Sequence, residues 1–194
     1  MELSGPVWLM QPIPYFGEPI GEGWIYEPKI DGWRMQLIRL GDGRVEVWGR
    51  RLERKPNWTA RLPSLVEIGR KVLPPGTLLD CELYTRKGRR FIPSLFARKK
   101  RLKPLVWAFD IIFYKGSFVG DLPLIQRKAI LEGIKLQPPL HFLRFHKVVD
   151  LKGDLVRMLR RGHEGIVVKL LSSPYEAGRD SPLATQNWRK IKGR

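Results

Sequence analysis

The stretch Glu27-Pro28-Lys29-Ile30-Asp31-Gly32-Trp33-Arg34 sets a lysine, an aspartate and an arginine at the end of a strand, with Gly32 permitting a turn directly behind the lysine. Taken alone it is an ordinary strand end, where a lysine is nearly always a solvated charge. Its meaning comes from its company. Asp80-Cys-Glu-Leu-Tyr84, Ala108-Phe-Asp-Ile-Ile-Phe-Tyr-Lys-Gly116, Glu164-Gly-Ile-Val-Val-Lys169 and Trp188-Arg-Lys-Ile-Lys192 follow in order, each on or beside a predicted strand.

Apolar periodicity supplies the frame around these segments. The proline-rich residues 1–20 read as irregular. Trp24 to Ile30 suits a strand, and Arg34 to Leu40 and Arg44 to Trp48 alternate with period two around the turn Gly41-Asp-Gly43, predicting a β-hairpin. Trp58 to Val72 spaces its leucines, valines and isoleucine as a helix face, which Pro74-Pro75-Gly76 ends ahead of a strand at Thr77 to Tyr84. Ser94 to Leu102 reads as a short basic helix, Pro123 to Ile134 and Asp150 to Arg161 as amphipathic helices. Leu105 to Tyr114, His141 to Val149 and Ile166 to Leu171 read as strands. No repeat or linker divides the chain, so residues 1–194 are expected to form one α+β domain of antiparallel sheets flanked by helices.

Of 194 residues, 36 are Lys or Arg and 19 Asp or Glu, a formal charge of +17, while 43% are apolar. That is a folded core with a polyanionic partner. One cysteine and three histidines exclude a disulfide framework, a zinc finger and a haem site. No window reaches about 18 uncharged apolar residues and the first 15 lack the pattern of a signal peptide, so a cytoplasmic protein without membrane partners is expected.

In their order the five segments resemble the collinear motifs of the covalent nucleotidyltransferases, the superfamily of ATP-dependent DNA ligases, RNA ligases and mRNA capping enzymes. The DNA ligase pattern Lys-x-Asp-Gly-x-Arg is met by Lys29-Ile-Asp31-Gly32-Trp-Arg34 without a mismatch. Phe109 to Gly116 followed by Leu124-Ile-Gln-Arg127, and Ser173-Pro-Tyr-Glu-Ala-Gly-Arg179 leading to Trp188, are also similar to ligases. The resemblance runs from about Trp24 to Lys192 and points most nearly to the ligase domains of bacterial end-joining ligases. It implies the ligase and capping-enzyme nucleotidyltransferase fold, ATP-grasp-like, with ATP and Mg²⁺ or Mn²⁺ as cofactors. It also implies a prokaryotic, nucleoid-associated monomer that works on nicked double-stranded DNA, alongside other repair proteins.

The same resemblance implies a role for individual residues. Lys29 would be the nucleophile that takes AMP from ATP. An amine of ordinary pKa, about 10.4, needs cationic neighbours or desolvation to attack at neutral pH, and Arg34, Lys169, Lys190 and Lys192 are such cations. Glu27 would lie by the adenine amino group, Arg34 and Glu82 by the ribose, and Phe109 on the adenine face. Asp31, Glu82 and Glu164 would be ligands to the divalent metal or its waters. Arg50 stands where the family often has Ser-Arg-x-Gly, but here the sequence is Gly49-Arg50-Arg51-Leu52, which leaves the phosphate contact open between the two arginines. The usual Asp-Gly-Glu is Asp80-Cys81-Glu82, with Cys81 read as a packed thiol.

A tract holding Arg86, Lys87, Arg89, Arg90, Arg98, Lys99, Lys100, Arg101 and Lys103 puts nine cations in 18 positions, and no acid occurs between Glu82 and Asp110. A phosphate-backbone contact is expected there. Only Gly193 and Arg194 follow Lys192, so the OB-fold domain that the resemblance would place next is expected to be absent from this chain. The expected activity is DNA sealing through lysyl-AMP. The alternatives are an RNA ligase or capping-type nucleotidyltransferase, or a nucleic-acid-binding module without turnover.

Overall fold

The computed structural model describes residues 2–99 and 102–193. Among these, two sheets face one another. The first has the order β1 (Gln11–Pro14), β11 (Ala184–Lys192), β10 (Gly165–Leu170), β2 (Trp24–Pro28) and β9 (His146–Lys147). The second has the order β4 (Val45–Gly49), β3 (Trp33–Arg39), β5 (Thr77–Tyr84), β6 (Leu105–Tyr114) and β7 (Ser117–Phe118), with β8 (Leu140–Phe142) added beside β6. All pairings are antiparallel except β1 with β11 and β8 with β6.

The period of two along each strand decides what each sheet face does. In the second sheet Met35, Leu37, Leu79, Cys81 and Leu83 point outward, where α1 (Pro63–Val72) covers them with Leu65 and Ile68. In the first sheet Tyr26, Ile166 and Val168 point outward against Met158 of α3 (Leu151–Arg160). The inner faces meet through Leu9, Met10, Ile38, Leu78, Phe109, Phe113, Tyr175 and Trp188. The third helix, α2 (Leu124–Gly133), packs beside β6.

Several expectations are corrected. The first 20 residues are not wholly irregular, because Leu9 and Met10 are buried between the sheets and β1 pairs alongside β11. β1 contains Pro12 and Pro14 and lies at a sheet edge, where a missing N–H costs no ladder bond. His141 to Val149 is not one strand. It splits into β8, which joins β6, and β9, which joins β2 in the other sheet. Of the basic helix expected at Ser94 to Leu102, Lys100 and Arg101 lie outside the described residues, and ahead of them stands a 3₁₀ segment over Arg89–Phe96, with Pro93 inside it, that ends before Arg98. Nine-residue β11 carries no clear apolar alternation in the sequence, yet its residues Trp188–Lys192 pair with β10 and its other edge pairs with β1.

Candidate active site between the sheets

A cleft of 670 Å³ opens between the inner faces, of the size that suits a nucleotide-like ligand. The first sheet contributes Glu27 from β2, Val167 and Lys169 from β10, and Trp188, Lys190 and Lys192 from β11, all of matching parity on their strands. The second sheet contributes Trp33 and Arg34 from β3, Gly49 from β4, Glu82 from β5 and Phe109 from β6. Arg50, Arg51 and Arg54 also line it, as does Arg89.

Lys29 leaves the end of β2 at the cleft wall, and two backbone hydrogen bonds fix it there. Its N–H donates to the Gly165 carbonyl at 2.9 Å, and its carbonyl accepts from the Glu164 N–H at 3.3 Å. Its ammonium lies 2.5 Å from Glu164 Oε2, while Glu164 Oε1 pairs with Lys192. Partial burial works to raise the Glu164 pKa, but hydrogen bonds from Lys192 and Lys29 outweigh it and leave the carboxyl below its ordinary range. Two glycines let the backbone beside Lys29 and Glu164 pack closely on neighbouring strands. A Cβ on Gly32 would fall 2.2 Å from the Leu83 carbonyl oxygen, and one on Gly165 would fall 2.0 Å from that of Ile191.

The inner end is aromatic and charged at once. Phe109 and Trp188 meet edge to face at 6.3 Å, and the Lys169 ammonium sits 3.8 Å from the Trp188 ring centroid and 4.5 Å from that of Phe109. Lys169 also pairs with Glu27 Oε2 at 2.7 Å. Burial drives the Lys169 pKa down to about 8, with Glu27 opposing. Glu27 Oε1 accepts from Lys128, a buried residue of α2 that the motifs do not mark. The signal for Lys128 was its register. Leu124, Arg127, Lys128 and Leu131 are the buried stripe of α2, so two cations occupy core positions that an amphipathic pattern reserves for apolar side chains.

Arg34 lines the cleft, yet most of its donors are already engaged. Its Nε and Nη2 hold Asp80 at 3.0 and 2.6 Å, and Nη2 also donates to the Met10 carbonyl at 2.6 Å. Tyr175 donates to the same Asp80 carboxylate at 2.7 Å. Beside this network Glu82 has its pKa pushed up to about 7 by desolvation, against the pull of Arg34 and Lys29. Arg50 reaches Gln11 Oε1 at 3.4 Å, and burial together with the neighbouring Arg34 and Arg51 lowers its pKa. Cys81 is fully buried and its thiol is pushed up, first by burial and then by Asp80 and Glu82.

Asp31 stands apart from this group. It is not among the residues lining the cleft and pairs with Arg89 at 2.9 Å near the surface. Among the described residues no three His, Cys, Asp or Glu side chains are grouped to hold a metal ion by themselves. Arg86, Lys87, Arg90, Arg98, Lys99 and Lys103 are exposed, whereas Lys100 and Arg101 lie outside the described residues. No helix among the described residues is long and apolar enough to cross a membrane.

Comparison with known proteins places this arrangement. The family model described as ATP dependent DNA ligase domain matches residues 15–192. A DNA ligase of Archaeoglobus fulgidus is 33% identical over 182 residues, covering 86% of this chain and 31% of the relative. A DNA ligase-like protein of the SPbeta prophage in Bacillus subtilis is 27% identical over 180 residues, covering 88% of this chain and 61% of the relative. The chain thus spans about a third of the Archaeoglobus protein's length. Among solved structures, mycobacterial DNA ligase D complexed with ATP and MES superposes with a TM-score of 0.73 at 21% identity, covering 95% of this chain and 60% of that one. Chlorella virus DNA ligase-adenylate gives 0.63 at 16% identity, covering 92% and 67%. The chain belongs to the ATP-dependent DNA ligase domain family, and its two-sheet α+β architecture is the family's adenylation (nucleotidyltransferase) fold.

Proposed function

We propose that the cleft binds ATP and that Lys29 is the residue that accepts AMP. The observation that carries this reading is the placement of Lys29. Its amine stands at the wall of a cleft that has an aromatic, carboxylate-bearing inner end and cations at Arg50, Lys190 and Lys192. In the step itself the Lys29 Nζ lone pair forms a bond to the α-phosphorus, the α–β phosphoanhydride bond breaks, and pyrophosphate leaves with that electron pair. The amine must shed protons to attack, and Glu164, 2.5 Å away, is positioned to hold one. The surrounding cations stabilise the charge that grows on the phosphate oxygens.

Adenine would lie against Phe109 and Trp188 with its amino group toward Glu27, and the ribose toward Glu82. Mg²⁺ is commonly held by one or two carboxylates plus substrate phosphates rather than by an all-protein cage. Glu164 and Glu82 fit that mode, and a divalent cation bound with the triphosphate would neutralise part of its charge. Asp31, tied to Arg89, is placed less well for it.

AMP would next pass from Lys29 to the 5′-phosphate of nicked double-stranded DNA, and the adjacent 3′-hydroxyl would displace it, joining the strand. The exposed cations from Arg86 to Lys103 would hold the duplex by its phosphates. Intact-protein mass spectrometry after incubation with ATP and Mg²⁺ tests the reading, with one covalent AMP expected on the wild type. An unmodified mass in a folded sample would overturn it.

A further inference from the structure

Lys128 is 1% exposed and lies outside the cleft lining, yet its ammonium donates to Glu27 Oε1 and, at 2.6 Å, to the Phe109 carbonyl. Those two partners belong to the two residues assigned to the base, one for its edge and one for its face. The ammonium also stands 5.5 Å from the Phe142 ring centroid and 5.4 Å from that of Phe145, which close off its remaining approach. Burying a lysine is costly unless its charge is paired and its protons are accepted. Here the charge is spent on one carboxylate and one carbonyl, both of which help form the inner end of the cleft.

Glu27 is thereby gripped from two sides, by Lys128 on Oε1 and by Lys169 on Oε2. The grip has two chemical results. It fixes the plane of a side chain that could otherwise rotate, and it sets a donor on each oxygen of a carboxylate, a group that only accepts hydrogen bonds. An accepting edge attracts a purine that carries an amino group at position 6 and repels one that carries a carbonyl oxygen there. Lys169 lines the cleft and faces the ligand itself, so Lys128 is the partner that acts on Glu27 from behind.

We infer that Lys128 is a positioning residue for base selection: by clamping Glu27 as an oriented acceptor, it makes the cleft prefer 6-aminopurine nucleotides. The inference rests on the assignment of the cleft to ATP and adds to it the residue that sets the choice of base.

The test compares ATP with purine riboside 5′-triphosphate, which lacks any group at position 6, and with GTP, using Lys-AMP or analogous adduct formation by the intact chain. In Lys128→Met the KM for ATP should rise about tenfold, the worth of one charge-assisted hydrogen bond. The KM for purine riboside triphosphate should stay put, the handicap of GTP should shrink, and kcat should change little. Lys128→Arg, which keeps a buried cationic donor, should retain the wild-type preference. If Lys128→Met does not melt cooperatively, Lys128→Gln is measured in the same way with the same direction expected. Equal weakening of all three nucleotides, or an unchanged preference, would overturn the role of Lys128. A wild type that forms no adduct with any of them would instead strike at the assignment of the cleft.

Discussion

Lys29 and Glu164 are joined twice, by an ammonium–carboxylate contact of 2.5 Å and by the Glu164 N–H donating to the Lys29 carbonyl at 3.3 Å. Lys29 lies just past β2 and Glu164 just before β10, so the pairing of these two central strands delivers the proposed nucleophile and its carboxylate together. The side-chain contact is partly exposed and contributes little to stability. Lys29→Ala should therefore melt close to the wild type while forming no nucleotide adduct. Glu164→Ala should keep a trace of adduct formation, slowed by at least about 100-fold, the usual range for losing a proton-transfer group. Intact mass after timed incubation with ATP measures both, and an adduct persisting on Lys29→Ala would remove that residue from its role.

The sequence shows this pair more clearly than it shows the sheets that carry it. β5 and β6 were legible end to end, because Thr77–Tyr84 and Leu105–Tyr114 are largely apolar, mostly buried runs bounded by turn residues. β11 was not, because its inward face carries Trp188, Lys190 and Lys192 to the cleft, and a functional face erases the apolar alternation that marks a strand. β8 and β9 were merged, since periodicity is local and does not reveal that the chain changes sheets between Phe142 and His146. At the site, the motif residues come with fixed spacing and could be named. Lys128 and the Asp80–Tyr175 contact depend on helix register and on residues 95 positions apart, which no short pattern encodes.

Two titrations should shape the rate of adduct formation. Desolvation holds Glu82 at about 7, so it becomes an anionic acceptor for ribose hydroxyls only as pH rises through that value. Burial holds Lys169 at about 8, so its charge fades above that. The expected profile of kcat/KM for ATP rises through pH 7 and declines past pH 8, since this parameter reports groups of the free protein. Glu82→Gln should flatten the acid limb and leave the alkaline one. A profile unchanged by that substitution would separate Glu82 from the nucleotide.

Arg127 and Asp110 form a fully buried pair, with Nε and Nη2 on the two carboxylate oxygens at 2.9 and 3.0 Å. Arg127 Nη1 also donates to the Leu122 and Ser173 carbonyls, tying α2 and the loop after β10 to β6. Removing one partner of such a pair typically costs about 3–5 kcal/mol, so Arg127→Met should lower the urea midpoint accordingly. Desolvation alone would raise the Asp110 pKa, but Arg127 outweighs it and the net shift is downward. A lowered folded pKa stabilises above the unfolded value and is lost as pH falls through the folded one. Arg127→Met should therefore also move acid unfolding to higher pH. Wild-type stability in the variant would show the network to be dispensable.

Binding to DNA should be governed by charge and blind to sequence, because the exposed cations at Arg86, Lys87, Arg90, Arg98, Lys99 and Lys103 stand on a chain of net charge +17. Phosphate contacts release counterions, so about six of them give a slope of log K against log salt near −5. Arg89, equally exposed, is already paired with Asp31 and should contribute less than the other cations of the tract. Replacing Arg86, Lys87, Arg90, Arg98 and Lys99 together by Ser should bring the slope close to −1, about 0.9 per contact removed, while adduct formation from ATP without DNA stays nearly intact. Measuring affinity for a nicked duplex of two unrelated sequences across a salt series checks both parts. A flat salt response, or a slope untouched by the five substitutions, would place the duplex on another face of the domain.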